Sequence, residues 1–298
     1  MHFNINFRRV LSPDSPTRGA PNAAAALGTP SVLWPKNATT ADGPARRAGR
    51  PRPAPPACKL MLKRTLRTKA QEPGTYNIAM ILESRAVPPF EKNGFVLACE
   101  QTHEAVIIDP GDEVQTLLDS IRAQQLQVKQ ILLTHGHVDH VSGVARAKHE
   151  LRVPIYLHRG DLPLYENAVA FGEFFGLTIE APPPIDLFYD DAGNESLVFG
   201  KFEIHVHHTP GHCPGGVCLE VGPAGAPGKQ LFVGDTLFAG SIGRTDLPGG
   251  DYATLMRSIR RVLFAFGDDA EVYPGHGPKT TIGHERATNP FLRDEKLY

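Results

Sequence analysis

Seven side chains in this sequence have the types and spacing to hold metal ions. The densest group is Thr134-His135-Gly136-His137-Val138-Asp139-His140, four candidate ligands within six residues directly after an apolar run. In an extended segment, side chains at i and i+2 point the same way. His135 and His137 can therefore converge on one ion, while Asp139 and His140, past a turn, address a second. Imidazole suits zinc, iron, nickel or copper, and a carboxylate oxygen completes a borderline site. One loop cannot close two coordination spheres. Three further candidates stand at the ends of apolar runs: His212 in Thr209-Pro210-Gly211-His212-Cys213-Pro214-Gly215-Gly216, Asp235 in Phe232-Val233-Gly234-Asp235-Thr236, and His276 in Tyr273-Pro274-Gly275-His276-Gly277. Each adjoins a glycine, which permits the tight turn that sets a ligand at a strand tip. Taken singly, a histidine beside glycine is usually a turn residue; beside the H-x-H-x-D-H loop, all three read as ligands. Two cations ~3.5–4 Å apart share a water and lower its pKa, giving hydroxide near neutral pH, and one of them polarises a carbonyl. Such chemistry needs no Ser or Cys nucleophile, and the chain has no G-x-S-x-G.

Strands and helices must position these residues. Ala105-Val106-Ile107-Ile108-Asp109 reads as a buried strand closed by Pro110-Gly111, and Val114, Leu117, Leu118 and Ile121 follow at helical spacing. Gln130–Thr134 is a second strand leading into the histidine loop. Val141–Leu151 reads as a helix, Pro154–Leu157 as a strand, and residues 161–175 as helical with aromatics at Phe171, Phe174 and Phe175. Ser196–Phe199 and Phe202–His207 flank Gly200-Lys201, a two-residue hairpin signal. Gly216–Val221 and Gln230–Val233 add strands. Tyr252, Leu255, Met256, Ile259, Val262 and Leu263 mark the apolar face of a helix, and Ala270–Tyr273 is a last strand. Strand runs alternating with helices predict sheets covered by helices on their outer faces. His205 and His207 alternate within a strand and read as one sheet face. His103, His149 and His158 read as surface residues or as neighbours of the site, and Cys213 and Cys218 as small buried or loop residues.

Composition bounds the rest. The chain has 298 residues and a formal net charge of −1, but the charge is uneven. Residues 1–75 carry a net of +10 and 11 of the 27 prolines, while residues 76–298 carry −11. A basic, Pro/Ala-rich stretch without apolar period cannot bury enough surface to offset its ordering entropy, so residues 1–75 are expected to be a disordered tail. Initiation at Met61 or Met80 is the alternative. Arg8-Arg9 is not followed by an apolar core, so no secretory or twin-arginine signal is expected. Residues 76–298 are expected to form one domain. Its negative charge argues against a nucleic-acid partner, and no run approaches the ~18 apolar residues of a membrane span. Four cysteines (Cys58, Cys99, Cys213, Cys218) form no C-x-x-C pair, in keeping with a reducing, cytoplasmic setting.

His135, His137, Asp139, His140, His212, Asp235 and His276 match in order the ligand pattern of the metallo-β-lactamase superfamily, which residues 76–298 resemble. The resemblance implies an α+β fold, an αββα sandwich of two mixed β-sheets flanked by helices, with the site at one edge. It implies that His135, His137 and His212 bind a first metal and Asp139, His140 and His276 a second. Asp235 would bridge them, and Asp109 would brace the histidine loop. Two divalent ions are implied, zinc foremost, with iron or manganese as alternatives. The segments Gly240–Asp251 and Gly283–Phe291 resemble the short, single-domain branch of the hydroxyacylglutathione hydrolases (glyoxalase II). Only 22 residues follow His276, so the C-terminal helical domain of the long enzymes is not expected. A bridging Asp235 stands where B1 β-lactamases lack one, which disfavours antibiotic hydrolysis.

The function implied is hydrolysis of a small-molecule thioester such as S-lactoylglutathione by metal-bound hydroxide. Asp139 and Asp235 serve the site, and Arg244 is a candidate for orienting a substrate carboxylate, with a surface salt bridge as its alternative. The alternative function is a mononuclear-iron oxygenase of the persulfide dioxygenase type. That branch resembles this chain around Gly243-Arg244-Thr245-Asp246 and would use only His135, His212 and Asp235. It usually carries an Asp after the last histidine, where this chain has Gly277. A third reading, a nucleic-acid processor or regulator on the same fold, conflicts with the domain's charge.

Overall fold

The central strands of this chain are apolar at almost every position because both of their faces are buried. In the computed structural model, which describes residues 64–67, 78–88, 90–174, 176–190 and 196–293, β1 (Arg64–Arg67), β2 (Ala79–Arg85), β3 (Gly94–Cys99), β4 (Glu104–Ile108), β5 (Gln127–Leu132), β6 (Ile155–Leu157) and β7 (Leu187–Phe188) form one sheet in chain order. The first four are antiparallel neighbours and β4 to β7 run parallel. The second sheet holds β8 (Ser196–Phe199), β9 (Phe202–His208), β10 (Val217–Pro223) and β11 (Gln230–Gly234). A two-stranded ribbon, β12 (Leu237–Phe238) and β13 (Ser241–Ile242), follows. β14 (Glu271–Pro274) and β15 (Thr280–Thr281) complete the second sheet, in the order β15-β14-β11-β10-β9-β8. Its one parallel pair is β11 with β14. Both sheets are therefore mixed, as expected.

Period-two alternation sends each strand's residues to two different cores. Phe95, Leu97, Val106 and Ile108 meet Phe202, Ile204, Leu219 and Phe232 between the sheets. Val96, Ala98, Ala105 and Ile107 face outward to α1 (Val114–Ala123) and, beyond α2 (Val138–Val141), to α3 (Val144–Leu151). Two short helices, α4 (Leu162–Glu166) and α5 (Ala168–Phe174), follow. On the far side, Cys218, Leu231, Val233 and Val272 pack on Leu255, Met256 and Ile259 of α6 (Tyr252–Arg261) and Ile282 of α7 (Ile282–Thr288). Layers of helix, sheet, sheet and helix result, the α+β sandwich expected.

Departures from the expected elements have local causes. The helix expected over Val141–Leu151 breaks at Ser142-Gly143 into α2 and α3. Gly143 sits so close to the Pro110-Gly111 turn that a Cβ would lie 2.2 Å from the Gly111 carbonyl, and its N–H donates to the Pro110 carbonyl at 3.1 Å. Tyr252, assigned to the apolar face of α6, is 40% exposed because it stands at the helix start, outside the contact with β11 and β14. The strand expected to be last is followed by β15, too short to carry a pattern. Arg64–Arg67 pairs with β2 and so belongs to the first sheet, ahead of the boundary expected after residue 75. Strand pairing there uses backbone groups, which composition does not report. The rest of the expected tail, with Met61 and Cys58, lies outside the described residues. Met80 sits inside β2, opposite Cys99. No helix among the described residues is long and apolar enough to cross a membrane.

Candidate metal centre

Parallel pairing brings strand ends to one edge. β4 delivers Asp109, β5 delivers Thr134 and the histidine loop, β11 delivers Asp235 and β14 delivers the turn to His276. The β9–β10 connection adds His212. The backbone ties these tips together: Val217 N–H donates to the Thr134 carbonyl at 2.9 Å, and Gly275 N–H to the Gly234 carbonyl at 2.8 Å. All seven residues singled out in the sequence meet there. His135, His137 and His212 form one cluster with ligand atoms within 4.8 Å of one another, as do Asp139, His140 and His276, and as do His135, His140 and Asp235.

Neighbouring groups set which ring nitrogens face the centre. Thr134 Oγ1 donates to Asp109 Oδ2 at 2.6 Å, so its oxygen accepts from His135 Nδ1 at 3.1 Å. Asp109 Oδ2 accepts from His140 Nδ1 at 2.9 Å, and the Arg244 carbonyl accepts from His212 Nδ1 at 2.8 Å. Each Nδ1 thus faces its outer partner and each Nε2 is the ring atom turned inward, the usual outer support of a metal-binding imidazole. The Nε2 atoms of His135 and His140 and Oδ1 of Asp235 are buried without a hydrogen-bond partner. His137 Nδ1 lies 2.8 Å from His212 Nε2, so both address the same point. Buried, unpartnered polar atoms are costly, and here they converge as a set of imidazole and carboxylate groups suited to divalent cations. The residues fit the group.

Electrostatics divide the cluster. Burial, and then the imidazoles of His140 and His137, push His135 well below its ordinary value. Burial and the adjacent His212 bring His137 down to about 4. Both are therefore neutral near pH 7, the form that binds a metal. Burial acts the same way on His140, but Asp139, Asp109 and Asp235 outweigh it and raise it to about 10. Burial opposes ionisation of Asp139, yet His140 and His276 outweigh it and hold the carboxyl at about 2. The half of the site around Asp139 and Asp235 therefore calls for positive charge.

Several supports carried no sequence signal. Asp161, fully buried, accepts from Gly136 N–H at 2.9 Å and Gly215 N–H at 2.5 Å, clasping the histidine loop to the His212 loop. Lys92, 2% exposed, donates to the Asp109 carbonyl and to Glu113 Oε1, the latter at 2.6 Å. It anchors Asp109 in a left-handed conformation (φ +48°) that a residue other than glycine rarely adopts. Asn93 N–H donates to the Gly275 carbonyl at 2.6 Å, and its Nδ2 donates to the Pro274 and Gly277 carbonyls, fixing the His276 turn. Buried polar residues scattered along the chain have no spacing to betray them.

Other expected residues fall as follows. The Arg244 guanidinium pairs with both oxygens of Asp246 at 2.7 Å on the surface; only its carbonyl touches a candidate ligand. His205 and His207 lie on one outward face of β9, alternating with buried Ile204 and Val206. His103 and His149 are exposed, whereas His158 is buried and stacks on His208 at 4.0 Å. Cys213 and Cys218 are buried.

The model of the metallo-beta-lactamase superfamily matches residues 88–276, from the segment between β2 and β3 to the last candidate ligand. Hydroxyacylglutathione hydrolase GloC of Haemophilus influenzae is 39% identical over 221 residues, covering 72% of this chain and 100% of its own. The crystal structure of BLEG-1 B3 metallo-beta-lactamase is 38% identical, covers 72% of this chain and 100% of its own, and has a TM-score of 0.64. That of TTHA1623 in a di-iron-bound form is 40% identical, covers 70% and 100%, and has a TM-score of 0.62. Fold, ligand cluster and matched family model agree: this chain belongs to the metallo-beta-lactamase superfamily.

Proposed function

We propose that the domain is a dinuclear metal-dependent hydrolase of small-molecule thioesters, glyoxalase II-like, for which S-lactoylglutathione is a representative substrate. One observation carries the two-ion reading. Asp235 reaches both ligand sets, with Oδ1 3.4 Å from His140 Nε2 and Oδ2 3.8 Å from His212 Nε2 and 3.5 Å from His276 Nε2. The thioester reading is supported by the Haemophilus relative, and the lack of a G-x-S-x-G motif suits attack by metal-bound hydroxide.

Two divalent cations, zinc foremost or else iron or manganese, would supply a water of lowered pKa and a Lewis acid for the acyl carbonyl. The first would be held by His135, His137 and His212, the second by Asp139, His140 and His276, with Asp235 between. Asp109 and the Arg244 carbonyl keep protons on His140 Nδ1 and His212 Nδ1, so neither ring can turn its lone pair away. Asp235 would also accept a hydrogen bond from the attacking water and so aim it. A thiolate leaves readily, so no strong general acid is required of the chain. Arg244, at the rim, would orient a substrate carboxylate by exchanging Asp246 for it.

The test combines elemental analysis of the purified chain with a substrate panel. About two metal ions per chain and release of free thiol from S-lactoylglutathione or a simple acyl thioester are expected. A single iron per chain with oxygen uptake on glutathione persulfide would replace this reading with the dioxygenase one. Opening of a β-lactam ring without thioester cleavage would replace it with the activity that BLEG-1 is named for.

A further inference from the structure

The loop from Asp235 to Arg244 begins with a candidate ligand and ends with the carbonyl that orients another. Between them, β12 and β13 fold the chain into the ribbon, with Gly240 in its turn. Gly243 closes the loop so tightly that a Cβ would lie 1.8 Å from the Asp235 carbonyl and 3.3 Å from His212 Cβ. Phe238 on the same ribbon meets the His276 ring edge-on, centroids 6.1 Å apart. The ribbon therefore touches Asp235, His212 and His276, one from each part of the centre.

Its turn is gripped from the opposite side by α7. Glu285 Oε2 accepts from Gly240 N–H at 2.9 Å, and Asn289 Nδ2 donates to the Ser241 carbonyl at 3.0 Å and to Glu285 Oε2 at 2.8 Å. Thr280 Oγ1 donates to Glu285 Oε1 at 2.6 Å. Both Glu285 and Asn289 are fully buried. Burying a carboxylate among neutral donors is an expensive way to stabilise a fold; an apolar residue would serve packing better. What a carboxylate does provide is two oxygens that fix three donors in direction.

We infer that Glu285 and Asn289 are positioning residues for the metal centre, holding the ribbon so that Asp235 and His212 keep their geometry. The inference rests on the two-metal reading above but not on the substrate. The test is titration of the metal-stripped full chain with Co(II) and Zn(II), following affinity and the Co(II) absorption spectrum, with circular dichroism as a check on folding. Glu285→Ala and Asn289→Ala should each bind about tenfold or more weakly and shift the Co(II) spectrum. Glu285→Gln should restore both. Its oxygen can accept from Gly240 and Asn289, and its amide can donate to Thr280 Oγ1, which then accepts. Should Glu285→Ala fail to fold, Asn289→Ala, which removes only two of these bonds, decides alone. Wild-type affinity and spectrum in the alanine variants would overturn the inference, as would a Glu285→Gln variant as impaired as Glu285→Ala. Weakened metal binding in a chain that cleaves no thioester would uphold it while defeating the proposed substrate.

Discussion

Asp109 Oδ2 and His140 Nδ1 lie 2.9 Å apart, both fully buried. The same carboxylate takes the N–H and hydroxyl of Thr134 at 2.7 and 2.6 Å, so one side chain sets the entry to the histidine loop and the tautomer of its last member. Asp109→Asn would turn an amide N–H toward one of these donors. Metal affinity should fall about 10–100-fold with the fold retained. A zinc competition titration checks this, and unchanged affinity would show that His140 needs no such partner.

Gly275 brings the backbone close against the centre. A Cβ there would lie 2.2 Å from Asp235 Oδ1 and 2.7 Å from His140 Cε1. Gly275→Ala should therefore lose metal and hydrolytic rate. Gly277→Ala, two residues on, meets no atom within 4 Å and suffers only its positive φ of 77°. It should lose about 1–2 kcal/mol of stability and keep its metal. Elemental analysis beside a thermal melt separates the two.

Arg244→Ala removes an exposed guanidinium but not the carbonyl that holds His212. Exposed ion pairs contribute little, so stability and metal content should match the wild type. KM for a carboxylate-bearing thioester should rise several-fold with kcat unchanged, the mark of lost uniform binding. A fall in kcat at constant KM would refute the substrate-orienting role.

Glu220 gives a pH signature away from the metal centre. Burial raises its carboxyl, but the His207 imidazole at 2.8 Å and the Gly228 N–H outweigh it, so its folded pKa lies below the ordinary value. A depressed carboxylate stabilises above its unfolded pKa, ~4.3, and loses that contribution as pH falls through the folded value. Glu220→Gln should therefore melt below the wild type at neutral pH, and the gap should close as pH drops below ~4.3. A gap that widens in acid would contradict this, and paired melts across that range measure it.

Legibility followed the reach of each interaction. The histidine loop could be read because its four candidate ligands crowd six residues, and β4 and β11 because burial on both faces leaves continuous apolar runs; β3, just as apolar, was not among the expected strands. The hairpin at Gly200-Lys201 could be read because its glycine takes a φ of +57° that few other residues accept. The break at Gly143, by contrast, depends on the Pro110-Gly111 turn packing against it, which no helical period records.

By itself, the sequence determined the seven candidate ligands, the strands that lead into them and the covering of sheets by helices, because side-chain type and periodicity are local properties of the chain. Tertiary structure alone decided which ring nitrogens face the centre, that Arg244 contributes a carbonyl there, that Asp161 and Lys92 brace its loops, and that Glu285 and Asn289 hold the β12–β13 turn. Asp161 grips Gly215 from 54 positions away and Glu285 grips Gly240 from 45. A hydrogen bond between such distant partners leaves no mark on either neighbourhood until the sheets have brought them together.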